Sequence, residues 1–345
     1  MNMHFLDRLW QRWLHLLPRL AGALLALAIA LGIAPAASAQ GGKPLTVVRL
    51  GDEIGSEADY ANIWVAEAMG YYAQEGIKID RHTFNNGPEG LLHFANGEID
   101  MIAAGLAPFM EMAARGQNFK MVMSVTKYNA PLVGAKKYNS YKDLDGQKVG
   151  SPGLGTVQDA VLTYVENTQH LKFQRLFAKV SDFAVMAEKG EIAAFISWEP
   201  AAATAIQQNP ALHYVAQRPP IANAESLEVI VSPAFAKAHP DIVEGFVKAT
   251  LRGMQFIKSN PPEKVAEIVA KKMNSPSGVP VVLNAMNSIV VTDPRVDMPS
   301  TRIILKAVID AKKIPESFGR DIDGWMNRYI DYSYLDKAEK SVDWK

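Results

Sequence analysis

Two stretches of this sequence have the residue types and spacing to act on a small molecule. The first is a run of acids and hydroxyls, with Asp52, Glu53, Ser56, Glu57, Asp59 and Tyr60 crowded between Gly51 and Tyr60. Carboxylates at this density hold cations or hydrogen-bond donors and oppose an anion through space. The second is Ser151-Pro152-Gly153-Leu154-Gly155-Thr156-Val157, which leads from a β-forming stretch into a helical one. The exposed N–H groups of that helix start, with Gly155 for close approach and the Thr156 hydroxyl beside Val157, make a small anion site. The same residues also read as a plain helix cap, in which Thr156 does nothing but satisfy N–H groups. Two shorter turns complete the set, one holding Gly87 and one holding Gly105 and Leu106, where glycine lets backbone come close to a ligand. No cation sits in any of these four segments.

Other chemistries find no footing. The chain has no cysteine, which excludes a disulfide scaffold, a thiolate metal site and a cysteine nucleophile. G-x-S-x-G, H-E-x-x-H and the phosphate-binding G-K-[ST] are all missing. His82, His93, His170, His213 and His239 stand singly, none at metal-ligand spacing. No enzymatic activity, metal or cofactor is therefore expected. Lys plus Arg and Asp plus Glu number 36 each, a balance that offers no footprint for nucleic acid.

Residues of these kinds need elements to hold them, and the sequence alternates strand and helix patterns. Residues 46–50 form a β-rich run. Ala61, Trp64, Val65, Ala68, Met69 and Tyr72 recur at helical spacing, which predicts a helix with Trp64 on its core face. Strands are predicted over 77–84, 100–104, 121–125, 148–150, 192–198, 212–215 and 227–231, with helices over 89–96, from 108, from 156, over 182–189 and over 200–208. From Pro240 onward helices dominate. Such β-α-β-α order predicts mostly parallel sheets covered by helices. The fold class is α/β, as two units, each a mostly parallel sheet flanked by helices, with a helical C-terminal tail.

The N-terminal residues carry an address. Arg8, Arg12 and Arg19 precede an apolar run over 20–34, which is followed by Ala37-Ser38-Ala39. Basic, apolar and small-residue regions in this order form a secretory signal peptide over 1–39, cleaved after Ala39. The run is shorter than the roughly 20 residues of a membrane-spanning helix. With no cysteine to carry a lipid anchor, a free protein held near its cell points to the periplasm.

Four blocks then carry a family resemblance. Val65-Ala66 through Gly70-Tyr71-Tyr72-Ala73-Gln74-Glu75-Gly76-Ile77, Ala95-Asn96-Gly97-Glu98-Ile99-Asp100 with Gly105 and Pro108, Asp143-Leu144-Asp145-Gly146-Gln147-Lys148-Val149, and Gly190-Glu191-Ile192 through Trp198-Glu199-Pro200 stand in order. The chain resembles the type II periplasmic binding proteins of the nitrate, sulfonate and taurine group, with relatives that bind thiamine pyrimidine precursors. The resemblance implies a two-lobed fold, with lobe 1 over 44–132 and again over 227–345, and lobe 2 over 133–226. It implies capture of a small polar molecule for an ABC permease of the inner membrane, by a monomer whose lobes close about a hinge. It also places Trp198 in the cleft as an apolar wall, beside Glu199 as a polar contact or only a part of the helix start, and sets the ligand loop on Gly155 and Thr156. The hinges are expected at Ala130-Pro131-Leu132 and at Ser226-Leu227-Glu228. The acids around Glu53 leave a neutral or cationic ligand open as the alternative, and a secreted sensor without transport is the rival to an importer.

Overall fold

The computed structural model describes residues 45–275 and 278–344. The expected signal peptide and its cleavage after Ala39 lie outside the described residues. Residues 44–345 form one compact unit that contains two five-stranded sheets.

In the first sheet, β1 (Thr46–Glu53) lies in parallel between β2 (Ile77–Phe84) and β3 (Met101–Gly105). A strand from the far end of the chain, β10 (Glu225–Val231), runs antiparallel between β3 and β4 (Lys120–Lys127). The order is β2-β1-β3-β10-β4. The second sheet repeats this plan with β5 (Leu132–Ala135), β6 (Lys148–Ser151), β7 (Gln174–Phe177), β8 (Ala194–Ile196) and β9 (Leu212–Ala216), ordered β7-β6-β8-β5-β9. Here β5 is the reversed strand. Each sheet is thus parallel apart from one strand, the pattern that β-α-β order dictates.

Helices α1 (Ala61–Ala68), α2 (Tyr71–Gln74), α3 (Gly87–Ala95) and α4 (Leu106–Ala114) belong with the first four strands in sequence. Those following the second set are α5 (Val157–Gln169), α6 (Phe183–Glu188) and α7 (Ala201–Gln208). The return segment carries α8 (Pro233–Ala238), α9 (Pro240–Ser259), α10 (Pro262–Met273), α11 (Gly278–Met286), α12 (Met298–Asp310), α13 (Ile322–Tyr329) and α14 (Ser333–Ser341). Proline or a polar cap explains several starts. Asn86 accepts the Glu89 N–H at 3.0 Å ahead of α3, and Asp297 accepts the Ser300 N–H at 2.8 Å ahead of α12.

Apolar spacing explains which faces are covered. On α9, Ile242, Val243, Phe246, Val247, Ala249 and Met254 are buried against α1 and α14. Each large side chain buried this way stabilises by about 1.5–3 kcal/mol. Trp64 lies in the same core, with the Arg81 guanidinium 3.5 Å above its ring. A second apolar cluster joins the two lobes: Phe109 and Met110 of α4, Val161 and Leu162 of α5, and Ile304 and Leu305 of α12 are all part of it.

Candidate functional site

The residues predicted to act together come to the carboxyl ends of strands, where open α/β sheets hold ligands. Glu53 ends β1, Gly105 ends β3, Gly87 begins α3 after β2, Thr156 caps α5 after β6, and Trp198 follows β8. Glu53, Gly105, Thr156 and Trp198 line one void at the meeting of the lobes, with Gln158 and Ser226 as further polar members and Pro108, Val157 and Leu227 as apolar ones. Its volume is about 10 Å³, close to the space a single water needs. A wider cavity of about 430 Å³ lies between the lobes around Ile54, Gly55, Glu57, Lys179, Val180 and Ala201.

Gly87 and Gly155 are required by close approach. A Cβ on Gly87 would stand 2.8 Å from Glu53 Oε1. Gly155 has φ +85°, a left-handed conformation that favours glycine, and a Cβ there would come within 2.2 Å of Glu111 Oε1 on α4.

Glu53 is the acid of the void. It is 7% exposed, and burial, reinforced by Asp52, pushes its carboxyl up to about 8 against a partial offset from the Gly105 backbone. It therefore holds its proton at neutral pH. Asp52 is different: Arg81 at 2.9 Å and the Thr83 hydroxyl at 2.7 Å satisfy it. Ser226 is 1% exposed, and its hydroxyl has no hydrogen-bond partner.

Several predicted site residues are engaged elsewhere. The Ser56 hydroxyl donates to Asp59 Oδ2 at 2.7 Å. The Tyr60 hydroxyl donates to the Ala103 carbonyl at 3.1 Å and accepts the Glu53 N–H at 3.3 Å. Leu106 is fully buried in the apolar core, because helix α4 begins at Leu106 itself, two residues before the expected start at Pro108, and turns this side chain inward. Glu228 lies inside β10 between Ala104 and Ser124, away from the void lining, and both its carboxylate oxygens are unpartnered. Burial and the neighbouring Glu225 hold its carboxyl well above the usual range. Glu225 itself is paired with Lys127 at 3.2 Å.

Glu199 holds the lobes together. Its Oε1 accepts the Tyr214 hydroxyl at 2.7 Å and the Ser288 hydroxyl at 3.0 Å, and its Oε2 accepts the Ala203 N–H at 3.1 Å. Burial pushes this carboxyl up to about 7. Asn129, in the connection from β4 to β5, ties the network together. Its Nδ2 donates to Asp59 Oδ2, its Oδ1 accepts the Glu199 N–H at 3.0 Å, and its carbonyl accepts Gln158 Nε2 at 2.7 Å. Asp59, buried among Glu199 and Glu53, is raised well above its ordinary value, chiefly by desolvation.

The start of α5 serves itself. Thr156 Oγ1 accepts the Asp159 N–H at 3.2 Å and donates to the Gly153 carbonyl at 2.8 Å. Asp159 Oδ2 accepts the Gly155 N–H at 3.3 Å, while its Oδ1 takes Arg175 at 2.6 Å. A carboxylate of the chain thus occupies part of the ground that a bound anion would take.

Sequence reasoning missed Asn129 and Gln158, and assigned Ser226 and Leu227 to a hinge when they line the void. Asn129 offered one signal, a single amide in the otherwise apolar connection ahead of Pro131. Ser226 and Leu227 are part of a β-forming run, which marks them as strand and says nothing about which neighbour they face.

A model of the family described as NMT1/THI5 like matches residues 57–264. The chain belongs to this family. The NMT1/THI5-like chain is also 22% identical over 281 residues to the taurine-binding periplasmic protein of Escherichia coli strain K12, covering 78% of this chain and 86% of that protein. Two solved structures share its fold. The periplasmic aliphatic sulphonate binding protein SsuA of Escherichia coli aligns with a TM-score of 0.66 at 17% identity, over 83% of this chain and 92% of that one. The periplasmic nitrate-binding protein NrtA of Synechocystis PCC 6803 aligns with a TM-score of 0.69 at 12% identity, over 87% and 89% of the two chains. At these identities the likeness is one of fold: the two-lobed arrangement of a type II periplasmic binding protein, with a helical C-terminal segment.

Proposed function

We propose that this chain is the extracytoplasmic substrate-binding subunit of an ABC importer, delivering a small polar molecule to an inner-membrane permease without chemical change. The observation that carries the reading is the void at the meeting of the lobes, lined from both sheets by Glu53, Gly105, Thr156, Gln158, Trp198 and Ser226. Convergence of strand ends from two sheets on one place is how open α/β folds bind ligands. The names of its relatives put sulfonates, taurine and nitrate first among the compounds to try.

Ligand sites for organic molecules occupy some 300–1,000 Å³, so the void as it stands admits none of these. Capture accordingly involves parting and closing of the lobes by hinge motion. The natural hinges are the two connections between the sheets, residues 128–131 and 217–224. Lobe 1 would then comprise residues 44–132 and 227–345, and lobe 2 residues 133–226. Export by the N-terminal signal sequence, with cleavage after Ala39, would put the mature protein in the periplasm as a monomer.

Thermal denaturation of the purified chain with taurine, alkanesulfonates, nitrate and small amines in turn tests the reading. A ligand that binds only the folded protein raises the midpoint in a dose-dependent way. A scattering profile that contracts on addition of the same compound supports closure. No rise with any compound argues against capture of this class of molecule.

A further inference from the structure

A binding site declares its ligand by the groups it leaves uncompensated. Glu53 reaches the void with no side-chain cation beside it, and no Lys, Arg or His lines that void. Of the basic groups nearby, Arg81 is paired with Asp52 and Glu67, Arg175 with Asp159 and Glu166, and Lys127 with Glu225 and Asp293, while Lys179 lines the wider outer cavity and not this void. The charged and titratable groups that act on or around Glu53 are Asp52 beside it on β1, and Asp59 and Tyr60 on the following turn, with Glu199 reaching Asp59 from the second lobe. None is a cation. α3, β3 and α4 approach Glu53 with Gly87, Gly105 and Pro108, which are neutral. The facing residues of the second lobe, Thr156, Gln158 and Trp198, are neutral as well.

Ser226 is an independent observation in the same void. Its hydroxyl is buried and unpartnered, and a buried polar atom without a partner costs about 1–3 kcal/mol. An incoming group that donates hydrogen bonds would satisfy both Ser226 and Glu53. A simple anion would find no cation in this void, and at the start of α5 it would meet Asp159 already bonded to the Gly155 N–H.

We propose that the ligand of this cleft carries a protonated nitrogen, an ammonium or amidinium group, which is received by Glu53 and Ser226, and that simple anions are not its substrates. This inference rests on the reading of the cleft as a capture site. Because Glu53 holds its proton at neutral pH, arrival of a cation drives that proton off. Binding at pH 7 therefore releases close to one proton, and binding at pH 9, above the free value of about 8, releases little.

The test is isothermal titration of the full chain with pairs that differ only in the basic nitrogen: taurine against ethanesulfonate, β-alanine against propionate, and benzamidine against benzamide. Each is run in phosphate and in Tris, whose ionisation heats differ, so that released protons are counted directly. The expected result is binding confined to the nitrogen-bearing member of a pair, proton release at pH 7, and at least tenfold weakening in Glu53→Gln. That variant is also expected to melt no lower than the parent, since it removes a buried acid that no side-chain cation offsets. Glu228→Gln, away from the void, is expected to bind like the parent. Equal binding of ethanesulfonate and taurine, with no proton release and no effect of Glu53→Gln, overturns the inference while leaving capture intact. Silence from all six compounds overturns the capture reading and this inference with it.

Discussion

The Trp198 indole N–H donates to the Ile54 carbonyl at 3.1 Å, across the boundary between the lobes. Trp198 lines the small inner void, whereas Ile54 lines the wider outer cavity. This one hydrogen bond therefore stands between the two spaces, and it joins the loop after β8 to the end of β1. Trp198→Phe keeps an aromatic wall and removes the donor. The expected outcome is weaker closure, read as a smaller ligand-induced contraction in scattering, with a stability loss of about 0.5–1.5 kcal/mol for a single hydrogen bond. An unchanged contraction would mean that the bond does not help to hold the lobes.

Asn129 joins lobes through its side chain at both ends, to Asp59 on one side and the Glu199 N–H on the other. Asn129→Ala leaves the buried Glu199 N–H without a partner, at a cost of about 1–3 kcal/mol, and leaves Asp59 with the Ser56 hydroxyl alone. Urea denaturation is expected to show a loss of ~1–3 kcal/mol, larger than for Trp198→Phe. Asn129→Asp is expected to be at least as damaging, because it places a second carboxyl against Asp59. A loss below ~0.5 kcal/mol for the alanine variant would remove Asn129 from the latch.

Buried acids set the response to pH. Glu53 and Glu199 are raised from 4.5 to about 8 and about 7, chiefly by desolvation. The folded protein thus retains protons that the unfolded chain releases, and stability falls with pH wherever the folded state binds more protons. Their contribution is fully present below about 4.5 and is lost as pH rises through about 7 to 8. Melting temperature without ligand is expected to fall from pH 5 to pH 9. Glu228 acts in the same direction, so Glu228→Gln should flatten the slope. A melting temperature that climbs over this interval would contradict the assignment of these acids as protonated.

Much of the fold was legible because hydrophobic period is local. The run over 77–84 and the helix start at Thr156 needed nothing beyond neighbouring residues, and both elements stand as expected. β5 and β7 escaped notice for an equally local reason. β5 has four residues, one of them Gly134, and β7 presents Gln174 and Arg175 at a sheet edge, so neither shows the alternation that marks a strand. The candidate site was legible in part. Glu53, Gly105 and Thr156 follow from the rule that loops at strand ends meet and Trp198 from the family resemblance, whereas Leu106 was drawn into the core and Glu199 into a structural network.

The sequence by itself determined the alternation of strands and helices, the family, the lack of thiols, and the excess of acid over base around Glu53. Those depend on residue type and short spacing. Tertiary structure decided which acids are paired. Asp52 and Glu53 are adjacent in sequence, yet strand alternation sends them to opposite faces, so that Asp52 meets Arg81 and Glu53 meets the void. It also decided that Asn129 and Glu199, seventy residues apart, share a hydrogen bond. Such partnerships depend on how two sheets pack, a global outcome that no window of sequence contains.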